Sequence, residues 1–285
     1  MSGEYLYFEQ HNATAGLRLR VKRHLAHKRS KFQIIDLFET EEFGVVMTLD
    51  GLVMLTERDE CAYHEMLVHV PMLTHPDPRR VLVVGGGDGG TLRELLRHPT
   101  LEQVVQVEID GDVVSLSKKF FPWADAVYRH RKVKLVVDDA LKYIAQTKRK
   151  FDVILVDSTD PIGPAVGLFD EPFYRKVHRA LNPDGILCSQ VGSPFYNSSE
   201  ISQILARLRK LFVQAELYTT HIPTYPSGLW GMAIASKNPK KNIRSSLDKV
   251  RYNTFKDELK YYNTAIHAGA YMLPEYLKRA LYQTG

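Results

Sequence analysis

The sequence is poor in cysteine, with two (Cys61 and Cys188) among 285 residues. Both lie in apolar-patterned segments, which excludes a disulfide scaffold and a cysteine zinc cluster. Long hydrophobic runs are also missing. No stretch approaches the ~20 apolar residues of a membrane span. Met1 to Gln10 has no basic segment followed by an apolar one, so no secretory leader is read and the expected address is the cytoplasm. Without secretion, Asn12-Ala13-Thr14 matches a glycosylation acceptor by chance. Internal repeats and low-complexity segments are absent, which excludes solenoids and linker-like chains. What remains is an ordinary globular composition, 44% hydrophobic and 25% charged, incompatible with disorder along the whole chain. At about 150 residues per domain the length suits two domains or one large one.

The formal net charge is +5. The basic residues are spread out, and the densest stretch, Arg18 to Lys31, alternates with Leu17, Leu19 and Val21. That pattern is a half-buried strand with a wet face, so the charge is read as solvated surface and no nucleic-acid partner is expected.

The hydrophobic period changes along the chain. Residues 15 to 56 read as β, with strands expected over Leu17–His24, Gln33–Thr40, Phe43–Leu49 and Leu52–Leu55. Leu49-Asp50-Gly51 is a hairpin-turn signal. Thr56 with Asp59 resembles a capping box and opens a helix to Leu73, stopped by Pro76 and Pro78. From Val81 strands and helices alternate. Strands are expected at Val81–Val84, Val104–Glu108, Lys132–Val137, Phe151–Val156 and Gly185–Gln190. Helices fall at Thr91–His98, around Val113 to Phe120, at Leu141–Lys148, at Glu171–Leu181 and after an Asn197–Glu200 cap. Ala215–Ile222 and Gly231–Ser236 follow without an intervening helix and are expected antiparallel. A basic, turn-rich tail ends in a helix from about Pro274. The alternation argues an α/β fold, a doubly wound Rossmann-like sheet preceded by a small antiparallel β domain. The expected division is 1–56 and 57–285.

Gly85-Gly86-Gly87-Asp88-Gly89-Gly90 follows a strand and opens a helix, and Gly85, Gly87 and Gly90 satisfy G-x-G-x-x-G. Five glycines in six residues exceed what a tight turn needs and point to a ligand against the backbone. Asp88 is out of place for a dinucleotide, because a carboxylate there repels a pyrophosphate at the helix N-terminus. It attracts a cationic ligand group instead, unless it is only an N-cap.

Further carboxylates follow at strand ends. Glu108 stands 18 residues beyond Gly90, where an acidic side chain binds ribose hydroxyls, with Asp110 as the alternative. Asp138-Asp139-Ala140 ends the third strand and suits an adenine edge or a helix cap. Asp157-Ser158-Thr159-Asp160-Pro161 ends the fourth, with both carboxylates past the strand. Ligands bind outside the carboxyl ends of parallel strands. Asp88, Glu108, Asp139, Asp157 and Asp160 thus make an acidic pocket in a basic protein, suited to a cationic nucleoside with an amine partner. Tyr63-His64 and the stiff loop Pro223 to Trp230, with Tyr225, are candidate walls, although each also reads as plain structure.

Together these segments resemble the polyamine aminopropyltransferase family, and within it the bacterial spermidine synthases. The resemblance runs through Leu49-Asp50-Gly51, Glu57-Arg58-Asp59-Glu60, Tyr63-His64-Glu65-Met66, Gly85 to Gly90, Asp157 to Pro161, Pro223 to Gly228, Tyr261-Tyr262-Asn263 and Ile266-His267. It implies transfer of the aminopropyl group of decarboxylated S-adenosylmethionine, a co-substrate, to putrescine, with no resident cofactor or metal. It implies that Gln33, Glu108, Asp139, Ala140 and Pro164 hold the methylthioadenosine part, and Asp88 the amine of the aminopropyl arm. It implies a diamine site of Tyr63, His64, Asp88, Asp157, Ser158, Asp160 and Tyr225, with Asp157 as proton acceptor, and a homodimer or homotetramer. Ala140 stands where many relatives carry Gly and therefore requires a negative φ. Cys61 replaces a common aromatic, and Tyr5, Tyr7 and Phe8 loosely resemble an aromatic wall over the diamine. Agmatine, cadaverine or a triamine as acceptor, and a methyltransferase using intact S-adenosylmethionine, are the open alternatives. A non-catalytic nucleoside-, polyamine- or nucleic-acid-binding protein is the third reading.

Overall fold

A computed structural model describes residues 5–160 and 163–282, with the side chains of Gly163 and Pro164 left aside. The first five strands, β1 (Leu6–Gln10), β2 (Gly16–Arg29), β3 (Ile34–Thr40), β4 (Val45–Leu49) and β5 (Leu52–Thr56), form an antiparallel meander in chain order. Asp50 and Gly51 both adopt positive φ, 50° and 79°, which gives the β4–β5 hairpin the twist its strands need. Asp50 also accepts a hydrogen bond from the Ile34 amide at 2.8 Å.

Helix α1 (Glu60–Thr74) links this sheet to a second one and is buried at every position except Cys61. The chain then runs β6 (Arg80–Gly85), α2 (Gly90–Leu96), β7 (Gln103–Glu108), α3 (Gly111–Phe120), α4 (Ala124–Tyr128), β8 (Val133–Val137), α5 (Ala140–Gln146), β9 (Phe151–Asp157), α6 (Glu171–Ala180), β10 (Leu181–Gln190), α7 (Ser198–Leu211), β11 (Gln214–His221), β12 (Leu229–Ser236), α8 (Lys249–Asn253), α9 (Thr264–Gly269) and α10 (Glu275–Tyr282). The seven-stranded order is β11-β12-β10-β9-β6-β7-β8. β6 to β10 pair in parallel, and β12 is antiparallel to both β10 and β11.

The strand sequences explain the layers. In β9, Val153 and Leu155 pack toward α1, whereas Ile154 and Val156 pack with residues of α6 and α7. Both faces are covered, so the strand reads as a continuous apolar run. A separate core joins Ile35, Leu37, Met47 and Leu49 of the meander to Val113, Phe121 and Ala124, which seats the first sheet over α3 and α4.

Several expectations need correction. β1 was not expected, because five mixed residues carry little signal, and its strand form comes from pairing with β2. β2 continues past His24 to Arg29, since its basic end is held by the β3 ladder rather than by propensity. Thr56 and Asp59 do hydrogen-bond to each other at 2.6 Å, but Asp59 is the N-cap and α1 begins at Glu60. Asn197 makes no side-chain cap bond at the start of α7. β10 has a register break between Leu181 and Ile186, so its regular part matches the expected Gly185–Gln190.

Candidate active site

A cleft of about 1030 Å³, partly open to solvent, lies across the carboxyl ends of β6, β7, β8 and β9 and beneath the N-terminal sheet. β6 pairs with β7 on one side and β9 on the other, so the chain reverses direction of growth there and leaves a crevice. Gln33, Tyr63, His64, Asp88, Glu108, Asp139, Ala140, Asp157, Ser158 and Tyr225 line it.

The glycine loop is shaped by these side chains themselves. A Cβ on Gly86, at φ +72°, would stand 2.7 Å from Asp157 Oδ2. One on Gly90 would stand 2.3 Å from His64 Cε1. The glycine demand therefore comes from the packing of Asp157 and His64 against the loop as well as from any ligand.

Asp157 ends β9 in a half-buried position. Its Oδ1 accepts from Tyr63 Oη at 2.8 Å and its Oδ2 from Thr91 Oγ1 at 2.6 Å. Burial and the nearby Asp88 carboxylate push Asp157 above the ordinary carboxylate range, against the pull of His64 and these hydroxyls. Asp88 sits after β6 and accepts from the Gly90 amide at 2.7 Å, but the N-cap of α2 is Gly89, so Asp88 is not the cap. It also faces His64 Nε2 at 3.1 Å. Burial opposes its charge, but His64 and the Gly90 amide hold Asp88 below its usual range.

His64 is locked. Nδ1 meets Glu60 Oε2 at 2.7 Å while Nε2 meets Asp88, and Glu60 also takes Arg93 Nη2 at 2.7 Å. Burial disfavours the imidazolium, yet Asp88 and Glu60 together raise His64 well above its ordinary value. The donor atoms of His64, Asp88 and Asp157 all fall within 4.8 Å of one another. The arrangement presents hydrogen-bond acceptors and net negative charge to anything entering the cleft.

Of Glu108 and Asp110, Glu108 is the one that lines the cleft. Asp110 caps α3 at Asp112 and accepts from Ser30 Oγ at 2.6 Å and Gln33 Nε2 at 2.9 Å. It ties the N-terminal sheet down. Glu108 accepts one internal bond, from the Asp110 amide at 2.9 Å, and lines the cleft. Burial, with Asp110, Asp157 and Asp88 close by, pushes it up to about 7. Asp139 is exposed and caps α5 at Leu141, 2.7 Å away. Ala140 is not among the described residues with positive φ, so the condition set for its methyl group is met.

Not every candidate converges. Asp160 does not line the cleft; it faces Gln190 Nε2 at 3.5 Å, and burial raises it. Pro161 and the side chain of Pro164 lie outside the described residues. Tyr5, Tyr7 and Phe8 do not form a wall of the cleft. Tyr5 and Phe8 are exposed, and Tyr7 packs on Phe38 with ring centroids 5.3 Å apart. Tyr225 does line the cleft, 6.0 Å from the Tyr63 ring, and donates to the Met54 carbonyl. Its loop is held by Asp59, which accepts from Thr224 N at 3.0 Å and Thr224 Oγ1 at 2.8 Å.

Sequence reasoning passed over Thr91, Glu60, Glu9 and Gln190. Thr91 and Glu60 carried a weak signal, lying beside the glycine loop and one turn before His64. Glu9 is buried, accepts from the Val53 amide at 2.6 Å, and is pushed up to about 7 by burial with a contribution from Asp160. A buried carboxylate in an edge strand leaves no sequence pattern.

Residues 60–245 match the family model of the spermine/spermidine synthase domain, and residues 5–57 that of the spermidine synthase tetramerisation domain. The chain belongs to the polyamine aminopropyltransferase family. The aminopropyltransferase of Shouchella clausii is 41% identical over 98% of this chain and 99% of its own length. That of Bacillus subtilis is 42% identical over 96% and 98%. A solved spermidine synthase in complex with the transition-state analogue AdoDATO superposes with a TM-score of 0.93 at 38% identity, covering 97% of this chain and 94% of that one. Spermidine synthase from Thermotoga maritima gives 0.89 at 36% identity, over 97% and 94%. The protein is thus an aminopropyltransferase enzyme with an N-terminal antiparallel β domain and a Rossmann-like domain. No helix of the described residues is long and apolar enough to cross a membrane.

Proposed function

We propose that this aminopropyltransferase makes spermidine, transferring the aminopropyl group of decarboxylated S-adenosylmethionine to putrescine with Asp157 as proton acceptor. The observation that carries the reading is the convergence of Asp88, Glu108 and Asp157 in one cleft with a fixed His64. In this reading residues 1–56 are the oligomerising β domain of a cytoplasmic homodimer or homotetramer, and residues 57–285 carry the chemistry.

Glu108 accepts the ribose hydroxyls, and Asp139, Ala140 and Gln33 frame the adenosine. Asp88 receives the ammonium of the aminopropyl arm. Intact S-adenosylmethionine would bring a carboxylate toward Asp88, which disfavours the methyltransferase alternative. Tyr63, His64, Ser158 and Tyr225 flank the diamine, with the His64 ring fixed by Glu60 and Asp88. Asp160, three residues after Asp157 but outside the residues that line the cleft, would reach the distal ammonium only by turning from Gln190 when the diamine binds.

An aliphatic amine resembles Lys, with a pKa of about 10.4, so presenting it neutral at pH 7.4 costs about 4 kcal/mol. Asp157 accepts that proton, directly or through water, as the nitrogen attacks the methylene beside sulfur. The carbon–sulfur bond breaks in line, its electron pair stays on sulfur, and methylthioadenosine leaves. Positioned base catalysis is worth about 10²–10⁴-fold, and alignment of the two substrates up to ~7–11 kcal/mol. The proposed reaction uses no metal or resident cofactor. Turnover of purified protein with decarboxylated S-adenosylmethionine and a panel of amines tests the reading, and methyl transfer from the intact compound would overturn it.

A further inference from the structure

A second group of metal-ligating side chains stands on the N-terminal sheet, outside the cleft: His24 and His27 of β2 and Asp36 of β3. Side chains of a regular strand alternate between faces, so residues three apart point opposite ways. β2 breaks this rule. His24 pairs with Phe38 and Ala26 with Leu37, so β2 gains one extra residue between them. Such a bulge turns the following side chains to the other face. His27 is then directly opposite Asp36 and on the same side as His24.

The result is convergence on one atom. His24 Nε2 lies 2.7 Å and His27 Nδ1 2.8 Å from the same Asp36 Oδ1. The His24 ring is stacked on Phe38 at 4.7 Å, which fixes its orientation. Neighbouring cations are engaged elsewhere, Arg23 with Glu39 at 2.7 Å and Lys28 with Asp112 at 2.8 Å. The His24 and His27 side chains are 38% and 59% exposed, so an ion between them can keep water on its open side.

We propose that His24, His27 and Asp36 form a surface site for a divalent transition-metal ion of the zinc class. Two imidazole nitrogens and one carboxylate oxygen favour such an ion over magnesium or calcium. With tetrahedral metal–ligand bonds of about 2.0–2.2 Å, neighbouring donors sit roughly 3.3–3.6 Å apart. Each histidine nitrogen and the Asp36 oxygen need to spread by about 0.5–0.9 Å to reach that spacing, a shift that side-chain rotation supplies. The bound ion ties β2 to β3 across the bulge.

The test titrates the full-length, tag-free protein with Zn²⁺, and separately with Co²⁺, in a non-chelating buffer near neutral pH. One ion per chain is expected, with a visible Co²⁺ absorption band. His24→Ala, His27→Ala and Asp36→Asn should each weaken Zn²⁺ binding by about tenfold or more. Their aminopropyl transfer in the metal-free state should match the parent, which also reports that they fold. Zinc-soaked crystals should show anomalous density among the three side chains. The proposal fails if the parent chain binds no ion. It also fails if binding survives all three substitutions, which would send the ion to the His64, Asp88 and Asp157 group instead.

Discussion

Replacing Asp157 by Asn removes the proposed proton acceptor while preserving its shape. Tyr63 still has a carbonyl oxygen to donate to, where it now donates at 2.8 Å. Thr91, now a donor at 2.6 Å, turns its hydroxyl to accept from the new amide. The buried charge beside Asp88 disappears, so folding stability should hold or rise. The chemical step should slow by about 10²–10⁴, the worth of a positioned base, which is roughly 3–5.5 kcal/mol on the barrier. The KM for decarboxylated S-adenosylmethionine should change by less than about threefold, because a base acting in the transition state adds little ground-state binding. Asp157 works when ionised, and burial beside Asp88 raises the pH at which it ionises. Parent kcat/KM should therefore fall as pH drops through that titration, and the variant should lose this limb. The assay is methylthioadenosine release followed across pH, with thermal melting alongside. A variant with near-parental kcat and an unchanged acidic limb would refute the role given to Asp157.

Three other substitutions test neighbouring parts of the account. Glu108 is raised from 4.5 to about 7, so the ligand-free protein loses stability as pH rises through that window; Glu108→Gln should recover up to about 3 kcal/mol at pH 8 and almost nothing at pH 4.5, read by denaturant melts. The same variant should raise the KM for decarboxylated S-adenosylmethionine. Asp88→Asn should weaken that substrate by about 10–100-fold, the worth of a hydrogen bond to a charged group, and should narrow its advantage over intact S-adenosylmethionine in competition assays. Asp59→Ala strands the donors of Thr56 and Thr224 and should cost about 2–4 kcal/mol in a thermal melt, with a raised KM for the diamine as the Tyr225 loop loosens.

The alternating units from Val81 onward were legible because each strand is a short apolar run and each helix carries an apolar stripe. The antiparallel β11–β12 pair followed from the missing helix between them. β1 and the far end of β2 were not legible, because their strand form comes from cross-strand partners rather than from their own residues. The bulge near Leu25 left no sequence mark either, yet it decides where His27 points. In the site, the carboxylates at strand ends were readable from position alone. What they touch was not. Choosing Glu108 over Asp110 for the cleft needed Ser30 and Gln33, 80 and 77 residues away from Asp110 in the chain. His64 was placed at the diamine by resemblance; the two ion pairs that fix its ring had no mark in the sequence. Asp160 falls in the expected loop but turns toward Gln190, because a proline-interrupted loop does not fix side-chain direction from sequence.

The most direct measurement is product formation. Purified protein is incubated with decarboxylated S-adenosylmethionine and, in parallel, putrescine, cadaverine, agmatine and spermidine, and the polyamines and methylthioadenosine are quantified by mass spectrometry. The account predicts spermidine formed fastest from putrescine, in one-to-one ratio with methylthioadenosine. Faster turnover of agmatine or spermidine, or no product from any amine, would contradict it.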